Sequence, residues 1–378
     1  MTTMIDSPAL PATAANRMQT YTLELKFLIP AFMGDAEQSG RWRTPPFKAQ
    51  LRQWWRVVYA QDAQFKPSVE AMRREEGLLF GHAWLEDDFF TRDGKRIKTS
   101  ARRSEVRLRL DKWNEGGLRA AHWSALGTVT HPEVRQAVAS DLYLGYGPVV
   151  LPRGAQRPTL KANAAIQAGE SAVLSVAVPA EHADRIEQAM ALMHRYGTLG
   201  GRSRNGWGSY SLLPLPPGEG RGEGKVLPLR DWRACLDLDW PHAIGKDEKG
   251  PLVWQTQPHA DWRALMKTLA IIKIGLRTQF EFPNDRPDGA VHDRHWLSYP
   301  VTTHHVNSWR QNNLRLPNQL RFKVREATDG QQLVGVIFHM PHLPPPAFHP
   351  NRTAVERVWQ QVHAFLDAPT QPLSRIKD

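Results

Sequence analysis

The period of the hydrophobic pattern constrains this chain more than any other feature, because it switches between two values in a fixed order. Residues 20 to 29, Thr-Tyr-Thr-Leu-Glu-Leu-Lys-Phe-Leu-Ile, alternate and are β-rich, which predicts a first strand. After a loop with Gly34, Asp35 and Gly40, residues 42 to 60 take up a helical period. Thr44 is placed to cap that helix, and Pro45 or Pro46 suits its first turn, where a missing N–H costs nothing. From Gln61 to Lys98 the pattern weakens. Ser104 to Leu110 alternates again, with Glu105, Arg107 and Arg109 on its polar face, and Glu170 to Val178 forms another strand after an irregular insertion over 111–169. Pro179 to Tyr196 is amphipathic, with Ile186, Ala189, Met190 and Met193 inward; a glycine-rich turn follows, and Trp207 to Leu213 alternates as a closing strand.

Strand, helix, strand, strand, helix, strand is the split βαβ, ferredoxin-like order. It predicts two helices on one face of a four-stranded antiparallel sheet, with the other face open, as in RNA-binding RRM domains. Residues 214 to 224 have the composition of a linker. Beyond them come a strand near Arg233 to Asp239, a helix at about 258–280, and strands Leu320 to Arg325 and Leu333 to Met340 joined through Asp329-Gly330. A helix from Arg352 to Leu366 ends the pattern, with no clear fourth strand. The expected class is therefore α+β, two tandem ferredoxin-like (RRM-like) domains with long insertions, the second lacking its final strand. The expected units are a tail over 1–19, a first domain over 20–213, the linker, and a second domain over 225–378.

Lysine and arginine total 49 against 38 acidic residues, a net charge of +11. Such a surplus points to a polyanionic partner, nucleic acid first and an acidic membrane surface second. No basic amphipathic helix has the membrane-binding form, and the longest apolar run, Leu265 to Leu276, is broken by Lys267 and Lys273, so no membrane partner is expected. Cys235 is the only cysteine, which excludes an intrachain disulfide and a cysteine-based zinc site and fits a reducing, cytoplasmic compartment. The first twenty residues carry no continuous apolar core and read as a loose tail, not a signal peptide.

Two stretches carry candidate chemistry. At about 100° per residue, Phe47, Leu51, Trp54 and Val58 form a core stripe on the first helix. Beside it lie Lys48, Arg52, Trp55, Arg56 and Tyr59, cations for phosphates and flat rings for bases. The alternative is that Trp55 and Tyr59 pack inward and the cations cover an ordinary helix surface. The second stretch runs from Gly197 to Tyr210, where Gly200, Gly201, Arg202, Ser203, Arg204 and Gly206 combine close backbone approach with cations, a phosphate cradle. It is neither a Walker loop nor a dinucleotide fingerprint, because it follows a helix and leads into a strand.

The Pro-Pro-Phe-Lys-Ala-Gln-Leu-Arg-Gln-Trp-Trp-Arg helix resembles the Arg-Pro-Pro-Ser-Ile-Lys-Gly-x-Leu-Arg-x-Trp-Trp-Arg element of the RAMP superfamily of CRISPR proteins. Within it, the chain is most similar to the family of the first subunit of the Cmr (type III-B) effector complex. Gly-Gly-Arg-Ser-Arg-Asn-Gly-Trp-Gly-Ser resembles that family's glycine-rich loop, except that Asn205 stands where a second Arg is usual. Weaker similarity runs through Leu297 to Pro300 and Arg315 to Leu320. The resemblance implies an RNA-binding, non-catalytic subunit of an antiviral effector ribonucleoprotein. Its partners would be crRNA near the 3′ end, complementary target RNA and other effector subunits, with no cofactor and no metal.

Rival chemistries have their own candidates. A metal-independent endoribonuclease needs a general base beside a 2′-hydroxyl, and Tyr21, His82 or His194 offers one. His292, Asp293, His295, His304 and His305 fall within fourteen residues, but without a helix to align them they read as exposed loop histidines, not a zinc site. Glu86, Asp87 and Asp88 read as a solvated loop before a magnesium site. A protein-docking scaffold that uses the chain's 14 tryptophans is the other alternative.

Overall fold

The computed structural model describes residues 18–83, 85–86, 88–99, 101–214, 227–283 and 289–376. Most of the expected tail and the expected linker lie outside these residues. The first sheet contains β1 (Met18–Phe27), β2 (Arg107–Leu110), β3 (Ser171–Pro179) and β4 (Tyr210–Leu213), ordered β4-β1-β3-β2 and antiparallel throughout. Helices α1 (Pro45–Asp62) and α3 (Ala183–Tyr196) provide the crossovers, which completes the expected ferredoxin-like topology. Tyr21, Leu23, Leu25 and Phe27 of β1 point into the core beneath these helices, while Thr20, Thr22, Glu24 and Lys26 face outward. The alternation that predicts the strand thus separates a buried face from an exposed one.

The second sheet repeats the plan. Strands β5 (Val253–Thr256), β6 (Leu320–Glu326), β7 (Leu333–His339) and β8 (Leu373–Arg375) are ordered β6-β7-β5-β8, with α4 (Trp262–Thr278) and α5 (Arg352–Asp367) as crossovers. Two elements of this half depart from the sequence expectation. A fourth strand exists, because Leu373–Arg375 pairs with Thr256 to Trp254. It is too short, at 3 residues, to show an alternating pattern. The stretch near Arg233 to Asp239 is not the first strand but holds a 3₁₀ turn over Ala234–Asp237, capped by Asp231 Oδ1 accepting from Arg233 and Ala234 N–H.

A further helix, α2 (Val69–Phe80), occupies the weakly patterned region after α1. Ser68 caps it, its hydroxyl accepting from Ala71 N–H at 3.2 Å. The insertion over 111–169 holds paired two-residue strands and one short helix, Ser140–Gly145.

The two sheets stack as four layers: sheet, helices, sheet, helices. Val253, Val336, Phe338 and Met340 of the second half join the core of the first. Phe338 lies 4.8 Å from Tyr196 of α3 and 6.4 Å from Trp54 of α1, centroid to centroid. The opposite side of the second sheet, with Trp254, Phe322, Val324 and Ile337, packs on α4 and α5. Both faces of the second sheet are thus covered, whereas the first four-stranded sheet keeps an open face among the described residues.

Candidate nucleic-acid interface

Helix α1 forms where the sequence predicts it, with Pro45 and Pro46 in its first turn, but the Thr44 side chain makes no capping hydrogen bond. Its cationic side is only partly exposed, because α2 lies across it. Glu76 of α2, 5% exposed, receives Arg52 Nε at 2.7 Å and Arg56 Nε and Nη2 at 2.9 and 2.7 Å. Lys48 Nζ donates to the Phe80 carbonyl at 3.0 Å, where a cation complements the C-terminal end of α2. Burial lowers the pKa of Lys48, with the Arg52 charge as a lesser cause. Trp55 and Tyr59 take the packing role: Trp55 is 1% exposed, tilted against Tyr59 and edge-on to Phe80, and the Tyr59 hydroxyl donates to Glu75. Glu76→Ala leaves two guanidiniums without their shared carboxylate beside a packed helix. Because both guanidiniums are partly exposed, it is expected to lower unfolding free energy by about 1 to 2 kcal/mol, measured by chemical denaturation; a change under about 0.5 kcal/mol would mean α2 is held by packing alone.

The glycine-rich turn is a rigid joint. Gly201, Gly206 and Gly208 donate their N–H groups to the carbonyls of Phe32, Ser203 and Pro30, at 2.9, 3.0 and 2.9 Å. Gly208 has φ +67, and a Cβ there would lie 1.9 Å from the Leu199 carbonyl oxygen. At Gly200, with φ +89, an added Cβ would lie 2.6 Å from the Phe32 carbonyl oxygen. Protein backbone, not a ligand, requires these glycines. Phe322 N–H of β6 donates to Arg204 O at 3.0 Å, and Val324 N–H to Ser209 Oγ at 2.8 Å, so the turn is stapled along the edge of the second sheet. Lys323, fully buried, donates its ammonium to Gly197 O and Tyr210 O. Asn205 is turned inward, bonded to Leu144 O and to the Lys273 ammonium.

This joint leaves Arg202 and Arg204 exposed, and neither forms an ion pair among the described residues. Arg202 Nε donates to Tyr146 O, which holds its guanidinium beside a tyrosine that is 66% exposed. Behind Arg204 lies Arg321 of β6, whose Nε is buried without a partner. Burial, and then the neighbouring Arg204 charge, push the Arg321 guanidinium down to about 9. Two guanidiniums together without a carboxylate favour an anion. The turn meets α1 through Gln50, whose Oε1 accepts from Thr198 N–H at 3.2 Å. Gln50 and Arg52 are about 160° apart around the helix. Of the candidate residues, the structure therefore groups Arg202 and Arg204 with Tyr146 and Arg321, and groups Lys48, Arg52, Trp55, Arg56 and Tyr59 separately under α2. Tyr146 lies in the irregular 111–169 insertion, where no sequence signal places it beside Arg202.

The open face of the first sheet presents Thr20, Thr22, Ser175 and Ala177 with Arg107 and Arg109 at its edge. It has cations but no stacked aromatic platform among these residues.

The rival sites are engaged by the protein. Tyr21 donates to Glu187, and burial raises its pKa. His194 Nδ1 accepts from Leu212 N–H, and burial with nearby Lys323 and Arg325 lowers it to about 4. Asp88 does not solvate a loop: it is 3% exposed, bonded to both Arg102 and His82, and held down to about 2 by these partners, Arg102 foremost. Asp87 lies outside the described residues. Nor are His292 and His295 exposed, at 9% and 0%; they bracket a 3₁₀ turn in which His295 Nδ1 accepts from His292 N–H. No group of three or more metal-ligating residues occurs among the described residues. No helix among them is long and apolar enough to cross a membrane.

The architecture defined by these elements is a tandem ferredoxin-like α+β protein with a basic surface at the joint of its halves. Among solved structures, the chain is similar to Cmr1 from Pyrococcus furiosus in its apo form, at 13% identity over 94% of this chain and 98% of that one, with a TM-score of 0.43. It is also similar to a chain of the type III-B Cmr-beta complex bound to cognate target RNA and AMPPnP, at 11% identity over 90% and 99%, with a TM-score of 0.40. No family model matches the chain, and no curated protein does.

Proposed function

We propose that the chain is an RNA-binding, non-catalytic subunit of a type III CRISPR effector ribonucleoprotein, contacting crRNA near its 3′ end, the complementary target RNA, or both. The observation that carries this reading is the pair Arg202 and Arg204, exposed on a turn whose backbone is fixed from both halves and flanked by the exposed ring of Tyr146. Cations on a pre-organised frame suit phosphates, and a solvent-facing tyrosine suits an unpaired base. The +11 charge and the two long motifs shared with the RAMP superfamily support the same reading. Sequence specificity would come from guide–target pairing, with this chain reading backbone.

Removing the two contacts in Arg202→Ala/Arg204→Ala is expected to weaken single-stranded RNA binding about tenfold or more. It should also reduce the slope of log affinity against log salt by about 1.4, two phosphates at about 0.7 each. Filter binding across a salt series measures both, and an unchanged slope would sink the assignment of these arginines. Endoribonuclease action is the second reading; specific cleavage of repeat RNA by the purified protein in EDTA would favour it, as intact RNA favours the non-catalytic one. A scaffold role predicts RNA behaviour indifferent to all these cations.

A further inference from the structure

A cavity of about 670 Å³ opens where the end of β1, the 111–169 insertion, the start of α4 and the β6–β7 hairpin meet. That is the size of a site for a small organic molecule or one nucleotide. Its walls include two half-buried tryptophans, Trp123 and Trp262, one from the insertion and one from the first turn of α4. Neither is a loose surface ring. Both contact the fully buried Trp207, at centroid distances of 5.8 and 6.1 Å, and Trp123 Nε1 donates to Asp141 Oδ2 at 3.0 Å. The two rings are thus set before any ligand arrives, which removes an ordering cost from binding.

The remaining groups match one ligand chemistry. Arg263 lies on the Trp262 face, 4.5 Å from the ring centroid, and Lys26 projects from the open face of the first sheet. Lys26 pairs with Glu326 at 3.2 Å, with the two side chains 45% and 31% exposed. An ion pair that exposed is worth little, so the ammonium is available to a competing phosphate. Gln332 also lines the cavity, and its amide is both a donor and an acceptor, the two functions a base edge pairs with. Flat apolar walls, an amide and two rim cations suit an aromatic heterocycle that carries an anion.

We infer that this cavity receives the base of a single unpaired RNA nucleotide, stacked among Trp123, Trp262 and Arg263, with its phosphate at Lys26. The inference rests on the RNA-binding reading and adds a position where base, not backbone, is held. Single-strand contact by stacking is tolerant of sequence, because every base has a π-face.

The test uses the full chain and two 15-mers: oligouridylate carrying 4-thiouridine, and a ribose-phosphate polymer without bases. Gln332→Trp fills the cavity while keeping the backbone bonds of the hairpin, and thermal melting checks that it folds. The expected result is photo-crosslinks on peptides carrying Trp123 or Trp262, and about a tenfold loss of oligouridylate affinity in Gln332→Trp. Binding of the base-free polymer should be unchanged by the substitution. Crosslinks confined to the glycine-rich turn, with equal affinity of variant and wild type for oligouridylate, would overturn the cavity assignment alone. If wild-type protein binds neither polymer, the RNA-binding reading falls and takes this inference with it.

Discussion

Lys323→Ala is expected to unfold at distinctly lower denaturant than the wild-type chain, with a loss of about 3 to 5 kcal/mol. The lysine is 0% exposed and spans the joint, donating to Gly197 O at the C-terminal end of α3 and to Tyr210 O on β4. Truncation strands two buried carbonyls, each worth about 1–3 kcal/mol, and leaves a void where a four-carbon stem was packed. Burial already lowers the ammonium's pKa, so the charge is held at a cost and only the paired carbonyls justify it. Lys323→Met keeps the stem, removes that cost and strands the same oxygens, so it should lie between wild type and Lys323→Ala. Urea denaturation of the three proteins decides. If Met and Ala lose equally little, the joint is held by its apolar contacts and the buried ammonium is incidental.

Mild acid is expected to destabilise this protein strongly, well before its carboxylates protonate. His242, His295, His342 and His363 are each less than a tenth exposed, and burial lowers them to about 4, 4, 4 and 3. His363 Nε2 also meets His339 Nδ1 at 2.9 Å, an arrangement that accommodates one proton between the two rings. A folded pKa below the unfolded value of about 6.5 means that the unfolded chain binds protons the folded chain refuses. Their full contribution is present above about pH 6.5 and is lost as pH falls towards the folded values near 4. Each such histidine costs about 1.4 kcal/mol per pH unit in that window. Four acting independently remove about 5 kcal/mol by pH 5.5, comparable to the whole stability of many domains. Denaturation midpoints at pH 7.5 and 5.5 measure this directly; equal midpoints would mean the rings are hydrated and titrate normally. Asp88, held near 2, contributes no loss in this window.

Much of the fold was legible because each strand of the first sheet buries one face, and burial of one face writes a period of two. β1 and β3 lie within a few residues of their expected positions for that reason, and α3 and α4 do so because one buried stripe writes a helical period. The exceptions share a cause. β8 has only 3 residues, and α2 carries Glu76 inward, where an acid breaks the apolar stripe a reader looks for. α2 bears on function, since its Glu76 is what occupies Arg52 and Arg56. The glycine-rich turn was legible as a special backbone but not as a joint. Close approach to Leu199 and Phe32 demands the same residue as close approach to a phosphate. Composition alone does not separate the two. Arg321 was read only as part of an ordinary strand, and its position behind Arg204 depends on a pairing between residues more than a hundred apart.

The stapled turn also bears on how this chain meets others. On β6, the outermost strand of its sheet, the N–H groups of Leu320, Phe322 and Val324 are taken by Asn318 Oδ1, Arg204 O and Ser209 Oγ. A neighbouring polypeptide seeking to add itself as another strand there finds no row of vacant donors. That border is sealed from within, so any subunit that lies alongside must grip side chains, or join at the opposite border, along Leu373–Arg375.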